Sequence, residues 1–97
     1  MRNKNINTMN NLSAAKGVSK GEINLQWDSV ENAVSYIIEI ANTNHSNDIK
    51  WKVLDIISES RYTVRSLKSN KVYYFRVAYV NGEGHCELSR KIIKKAP

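Results

Sequence analysis

The stretch from Val72 to Gly84, Val-Tyr-Tyr-Phe-Arg-Val-Ala-Tyr-Val-Asn-Gly-Glu-Gly, limits what this chain can fold into more than any other. Aromatic and β-branched residues dominate it, and these suit a pleated, half-buried surface. Period two puts Tyr73, Phe75, Val77 and Tyr79 on one face and Tyr74, Arg76, Ala78 and Val80 on the other. A lone guanidinium is costly to bury, so the face with Arg76 is expected to look outward. Asn81-Gly82 tolerates positive φ and predicts a turn. The stretch reads as a central strand of a sandwich.

The rest of the chain supplies partners for it. Met9 to Lys16 predicts a short edge strand with Leu12 and Ala14 inward. Glu22 to Trp27 alternates and puts Ile23, Leu25 and Trp27 on the core face. Val34 to Ala41 does the same with Tyr36, Ile38 and Ile40, leaving Ser35, Ile37 and Glu39 opposite. Asn42 to Asp48 is turn-forming, and Ile49 to Ile57 predicts an edge strand. Its register is open, since Val53-Leu54 and Ile56-Ile57 could each send either member inward. Arg61 to Val64 predicts a short strand with Tyr62 and Val64 inward, Leu67 anchors the next connection, and Leu88 to Ile93 closes the sheet. Seven short strands without a helical period predict an all-β, seven-stranded antiparallel sandwich.

A chain of 97 residues is one domain, and at this size folding buries roughly two-thirds of its surface. No apolar run approaches the ~20 residues of a membrane-spanning helix, so membrane insertion is not expected. Residues 1–8 read as a polar N-terminal arm and 9–97 as the domain. The arm has no apolar core of an export signal; held by a partner, it would dock on a neighbouring subunit. The single cysteine, Cys86, cannot make an internal disulfide. The net charge of +6 is dispersed except at Arg90-Lys91 and Lys94-Lys95.

With these strands laid out, the chain resembles a fibronectin type III domain over about residues 9–95. The matching residues are Trp27 closing Ile-x-Leu-x-Trp; Ala33-x-x-Tyr36-x-Ile38; Tyr62-x-Val64-x-x-Leu67; Tyr73-x-Phe75-Arg76-Val77; and then Asn81 and Gly84. The resemblance implies an immunoglobulin-like sandwich with Trp27, Tyr36, Leu67 and Tyr73 in its structural core. It also implies a tyrosine corner, in which the Tyr73 phenol bonds to upstream backbone. The chain departs from the family pattern at Val30 and Ser69, where proline is usual, and at Tyr79, where alanine is common. These departures place it among microbial- or viral-like members.

No reaction is announced. Cys86 and His85 are neighbours, and neighbours on a strand face opposite ways, so they do not make a nucleophile–base pair. His45, His85 and Cys86 lack metal-ligand spacing, and Gly82-x-Gly84 is a turn and not a phosphate loop. No cofactor is expected, and the domain reads as non-enzymatic. Two candidate surfaces remain. The first is an outward patch of Tyr74, Arg76, Val80 and Ile37, joined by Trp51 from the edge strand. Aromatics beside arginine serve both protein interfaces and sugar-stacking platforms. Its plain alternative is that Trp51 folds over the sheet edge and Tyr74 packs across strands. The second is the loop Asn81, Gly82, Glu83, Gly84 and His85, which stands where some family members carry Arg-Gly-Asp and here does not.

The expected partner is a protein or glycan surface. Nucleic acid, through Arg90, Lys91, Lys94 and Lys95, is a minor alternative without a recognition motif. The resemblance implies a module that contacts proteins or glycans or holds other domains apart; the expected setting is an external surface, such as a virion decoration or a cell-surface or secreted assembly. The alternative is a spacer or accessory module of a secreted carbohydrate-active enzyme or adhesin.

Overall fold

The computed structural model of the protein describes residues 11–43, 49–84 and 86–97. The expected arm over residues 1–8, His45 and His85 lie outside the described residues. Among the described residues eight strands run in chain order: β1 (Ser13–Lys16), β2 (Ile23–Gln26), β3 (Ala33–Asn42), β4 (Lys52–Ile57), β5 (Arg61–Val64), β6 (Val72–Asn81), β7 (Cys86–Leu88) and β8 (Ile92–Lys95). They form two antiparallel sheets. One has the order β1-β2-β5; the other has the order β4-β3-β6-β7, with β8 also paired to β6.

The core lies where the alternation puts it. Ile23, Leu25 and Trp27 face Tyr36, Ile38, Tyr73, Phe75, Val77 and Tyr79 across the sandwich, all buried. Trp27 sits just past the end of β2, and its ring meets Tyr36 edge-on at 5.4 Å between centroids. The tyrosine corner is present: the Lys68 N–H donates to the Tyr73 hydroxyl at 3.0 Å. A second phenol does similar work, since the Val30 N–H donates to the Tyr36 hydroxyl at 2.9 Å. A proline at position 30 has no N–H to give. Likewise Ser69, where proline was also usual, donates its hydroxyl to the Pro97 carbonyl at 2.6 Å. Two departures from the family pattern thus make bonds that proline would forbid.

The structure settles the open register of β4. Tyr36 pairs with Ile57, Ile37 with Ile56 and Ile38 with Asp55, then the register slips so that Glu39 pairs with Val53. Leu54 is the extra residue of a β-bulge, which lets both Leu54 and Ile57 pack on the core while Val53 and Ile56 stay exposed.

Two expectations need correction. The closing strand is not continuous; it breaks into β7 and β8, which makes eight strands instead of seven. The cause is Ser89, the one buried polar residue among those described. Its hydroxyl accepts the Val77 N–H at 2.9 Å and donates to the Arg90 carbonyl at 2.9 Å. A side chain thus stands where a backbone carbonyl would continue the ladder. The turn after β6 also differs: positive φ falls at Gly84 (83°), not at Asn81-Gly82. The Asn81 side-chain oxygen accepts the Glu83 N–H at 3.0 Å, which sets the turn one step later. Glycine is required most strictly at Gly21, whose φ is 76° and where a Cβ would lie 2.6 Å from the Leu67 carbonyl oxygen.

Candidate functional site

The outer face of the five-stranded sheet carries the predicted patch. Glu39 on β3 lies directly opposite Arg76 on β6, and the Arg76 Nε donates to the Glu39 carboxylate. The Arg76 guanidinium carbon stands 4.1 Å from the centre of the Trp51 ring. Trp51 precedes β4, which lies on the far side of β3 from β6. To reach Arg76 the indole must cross β3. The residue paired with Tyr74 there is Ala41, small and only 4% exposed. The Trp51 and Tyr74 rings are 6.4 Å apart, and the Lys91 ammonium sits 4.5 Å above the Tyr74 ring. Cation, ring, ring and cation therefore form one connected group, anchored by a carboxylate. Such cation–ring contacts contribute about 0.5–1 kcal/mol each when exposed and about 2 when desolvated.

Apolar side chains flank this group. Ile56, Ile37, Ala78 and Leu88 make one cross-strand row over four strands. Val53, opposite Glu39, and Ile93, opposite Tyr74, continue the surface on either side. Val53, Ile56, Leu88 and Ile93 are 50%, 60%, 46% and 59% exposed. Val80, paired with Ser35 and Cys86, closes the face at its other end.

Of the predicted patch, Trp51, Tyr74 and Arg76 are in contact, Ile37 is in the adjoining apolar row, and Val80 is further along the same face. Sequence reading placed Trp51 inside the edge strand, whereas it lies just before it. Lys91, expected in the basic cluster of Arg90, Lys91, Lys94 and Lys95, stands over the Tyr74 ring instead. That cluster is divided: Lys95 pairs with Val72 on the outer side, while Lys94 pairs with Tyr73 on the inner. The signal for Lys91 was alternation, since residues 91, 93 and 95 share a face once β8 is in register.

The candidate loop lies apart from this group. Asn81 to Glu83 borders a shallow hollow with Asn32, Ala33 and Val34 at the opposite end of β6 from Tyr74, roughly 20–25 Å along the strand. Among the described residues, no group of three or more His, Cys, Asp or Glu side chains is placed to hold a metal ion. No helix among them is long and apolar enough to cross a membrane.

Two phenols are perturbed. Burial pushes Tyr79 above its ordinary value, aided by Glu87 and then Cys86. Burial, then the charge of Asp55 and a hydrogen bond to it, push Tyr62 the same way; Arg65 opposes.

A two-layer antiparallel sandwich with this core and a tyrosine corner is an immunoglobulin-like module. Residues 7–95 match the family described as Fibronectin type III domain, and the chain belongs to that family. Similar solved structures include an Fn3-like protein from Clostridium thermocellum, at 24% identity over 93% of this chain and 90% of that one (TM-score 0.74). The sixth fibronectin type III domain of human fibronectin type III domain containing protein 3 is 14% identical over 93% of this chain and 84% of that one (TM-score 0.76). Pectate lyase PelI from Erwinia chrysanthemi, solved with tetragalacturonic acid, is 10% identical over 86% of this chain and 27% of that one (TM-score 0.72). Domains of this family are generally non-catalytic modules, used commonly in protein–protein interaction and as spacers.

Proposed function

We propose that this domain is a non-enzymatic interaction module that binds a protein partner through the outer face of its five-stranded sheet, on the external surface of a virion or of a secreted or cell-surface assembly. The observation that carries this reading is the Trp51–Arg76–Tyr74–Lys91 group set among the exposed Val53, Ile56, Leu88 and Ile93. Aromatic and arginine side chains ringed by apolar surface are what protein interfaces concentrate. The described charges on this face are Arg76, Lys91 and Lys95 against Glu39, which favours a partner that is acidic. A sugar platform stacks on a ring face, and one face of each ring here already carries a cation, which favours a protein partner.

The test compares the protein isolated from its source with V53E and I56E variants. Both residues are exposed, so the fold survives. A defined assembly with the wild type, lost in the variants, together with a blank glycan array, is the expected result. Retention by the variants would overturn it, and so would glycan binding abolished by W51A. A second reading, a spacer or accessory module of a longer secreted enzyme or adhesin, draws on the pectate lyase and titin kinase structures, where the similar region spans 27% and 16% of the chain. A native polypeptide well above 11.1 kDa would favour it.

A further inference from the structure

We propose that the outer edge of β5, which among the described residues pairs with no strand but β2, accepts an extended, acidic strand from a partner protein, at a site separate from the outer-face patch. The sandwich is closed on one side, where β1 runs against β8, and open on the other, between β4 and β5. That opening is a groove of about 1050 Å³ lined by Leu25, Ile57 and Tyr62, with Glu59, Arg61 and Arg65 among its bordering residues.

The two edges that flank the groove differ. In β4 the Leu54 bulge breaks the ladder, and the Asp55 carboxylate accepts the Ile56 N–H at 2.8 Å. Lys50 and Lys52 add charge. These are devices that discourage strand pairing. β5 has no bulge, and its charges, Arg61 with Arg65 just beyond the strand, are of one sign and so select a partner strand of the opposite sign. The Trp27 N–H donates to the Ser60 carbonyl at 3.1 Å, which fixes the phase of the β2–β5 ladder. Leu25–Tyr62 and Ile23–Val64 are therefore the hydrogen-bonded pairs. Arg61 and Thr63 point their N–H and C=O groups away from β2, along a regular edge.

Side-chain chemistry names the occupant. Arg61, Thr63 and Arg65 share the outer face, and Tyr62 and Val64 the inner. Arg65 reaches Glu22 at 2.7 Å, yet its side chain stays 66% exposed. An added strand centred on Thr63 sets its second neighbours opposite Arg61 and Arg65 and its first neighbours over the groove. The matching pattern is acidic–apolar–polar–apolar–acidic. A second copy of β5 in that register would oppose Arg61 to Arg65 twice, which like-charge pairing disfavours. Strand addition of this kind takes its affinity from main-chain bonds and its specificity from alternate side chains.

The probe is the synthetic peptide Thr-Glu-Val-Thr-Val-Glu-Thr, titrated into the whole chain and followed by amide NMR. Binding should shift the amides of residues 61–65, slow hydrogen exchange at Arg61 and Thr63, and weaken with salt. Thr63→Pro removes the outward N–H together with the exposed bond from the Thr63 hydroxyl to the Asn24 side-chain oxygen (2.8 Å), and should abolish binding; Thr63→Val, which loses that side-chain bond alone, should leave binding intact. Reversing both charges, R61E with R65E, should raise Kd at least roughly tenfold and transfer preference to the peptide with Lys in place of Glu. No binding, shifts mapping to the outer sheet face, or binding indifferent to both variants would overturn the proposal. If Thr63→Pro fails to fold, the charge-reversal pair decides alone.

Discussion

The two faces of β6 come from one run of strand-forming residues, yet they do different work. On the inner face Tyr73, Phe75, Val77 and Tyr79 are at most 8% exposed and pack against the opposite sheet. On the outer face Tyr74, Arg76 and Val80 are half-buried, and Ala78 is covered in its row between Ile37 and Leu88. The inner face gains from area removed from water. The outer face gains from pairing: Arg76 with Glu39 and Trp51, Tyr74 with Lys91. The inner Tyr73 uses its hydroxyl to bind backbone, with the Lys71 ammonium 5.5 Å from its ring centre; the outer Tyr74 holds the Lys91 ammonium closer, at 4.5 Å. The strand is therefore a stability element on one side and, in the function proposed above, the recognition element on the other.

Core truncation breaks this contrast most directly. Phe75 is fully buried, and Phe75→Ala should cost about 3–5 kcal/mol in urea unfolding. Tyr74→Ala, at the neighbouring residue whose Cβ points to the opposite face, should cost about 1 kcal/mol from lost cross-strand and cation–ring contacts. Equal losses would mean that the outer face is also core, and that the patch is a packing layer.

Arg76→Ala comes next. The Arg76 and Glu39 side chains are 25% and 17% exposed, so the pair lies between the surface and buried limits. Its loss should cost about 1–2 kcal/mol, because Glu39 is left without its partner on a half-dry face. A double-mutant cycle with Trp51→Ala should return a coupling of about 0.5–1 kcal/mol. A coupling of zero would dissolve the connected group into separate contacts. Arg76→Lys should recover only part of the loss, since an ammonium cannot both stack on the indole and hold the carboxylate as a guanidinium does.

The hydroxyls of the inner face are a smaller effect of the same kind. Tyr73→Phe leaves the Lys68 N–H without its acceptor, and Tyr36→Phe does so for Val30; each should cost about 1 kcal/mol. Neither should alter partner binding, and a change there would blur the division between the faces.

How much of this was legible follows from period and register. The inner face was, because alternation of Ile23, Leu25 and Trp27, of Tyr36 and Ile38, and of Tyr73 to Tyr79 fixes it within each strand. Residues of the patch on β6 and β3 were legible for the same reason. Lys91 was not, because its place over Tyr74 depends on the break that Ser89 makes between β7 and β8, a tertiary event. Trp51 was named but not its path over β3, which needs Ala41 and Tyr74 in register. The choice between Leu54 and Val53 was closed to any reading by period two, since a bulge breaks that period. The departures at Val30 and Ser69 looked neutral in sequence and acquire meaning only from the tyrosine and the carbonyl they meet.

The smallest predicted effect separates the core from the open edge of the sandwich. Tyr79 on the inner face and Tyr62 beside the groove are both raised above the ordinary phenol value, chiefly by burial. A raised phenol favours the protonated fold. Its contribution is complete below about pH 10, the value in the unfolded chain, and is lost as pH rises through the folded value. Stability should therefore fall on the alkaline side of pH 10. The informative quantity is the difference between wild type and each Tyr→Phe variant, which isolates the one phenol. Tm profiles across that window should flatten in both Tyr79→Phe and Tyr62→Phe. In the second, Asp55→Asn should remove part of the same slope, because Asp55 contributes charge and a hydrogen bond to Tyr62. If the Asp55→Asn and Tyr62→Phe effects simply added, Asp55 would not be acting on the Tyr62 phenol, and the open edge would be wetter than its hydrogen bond implies.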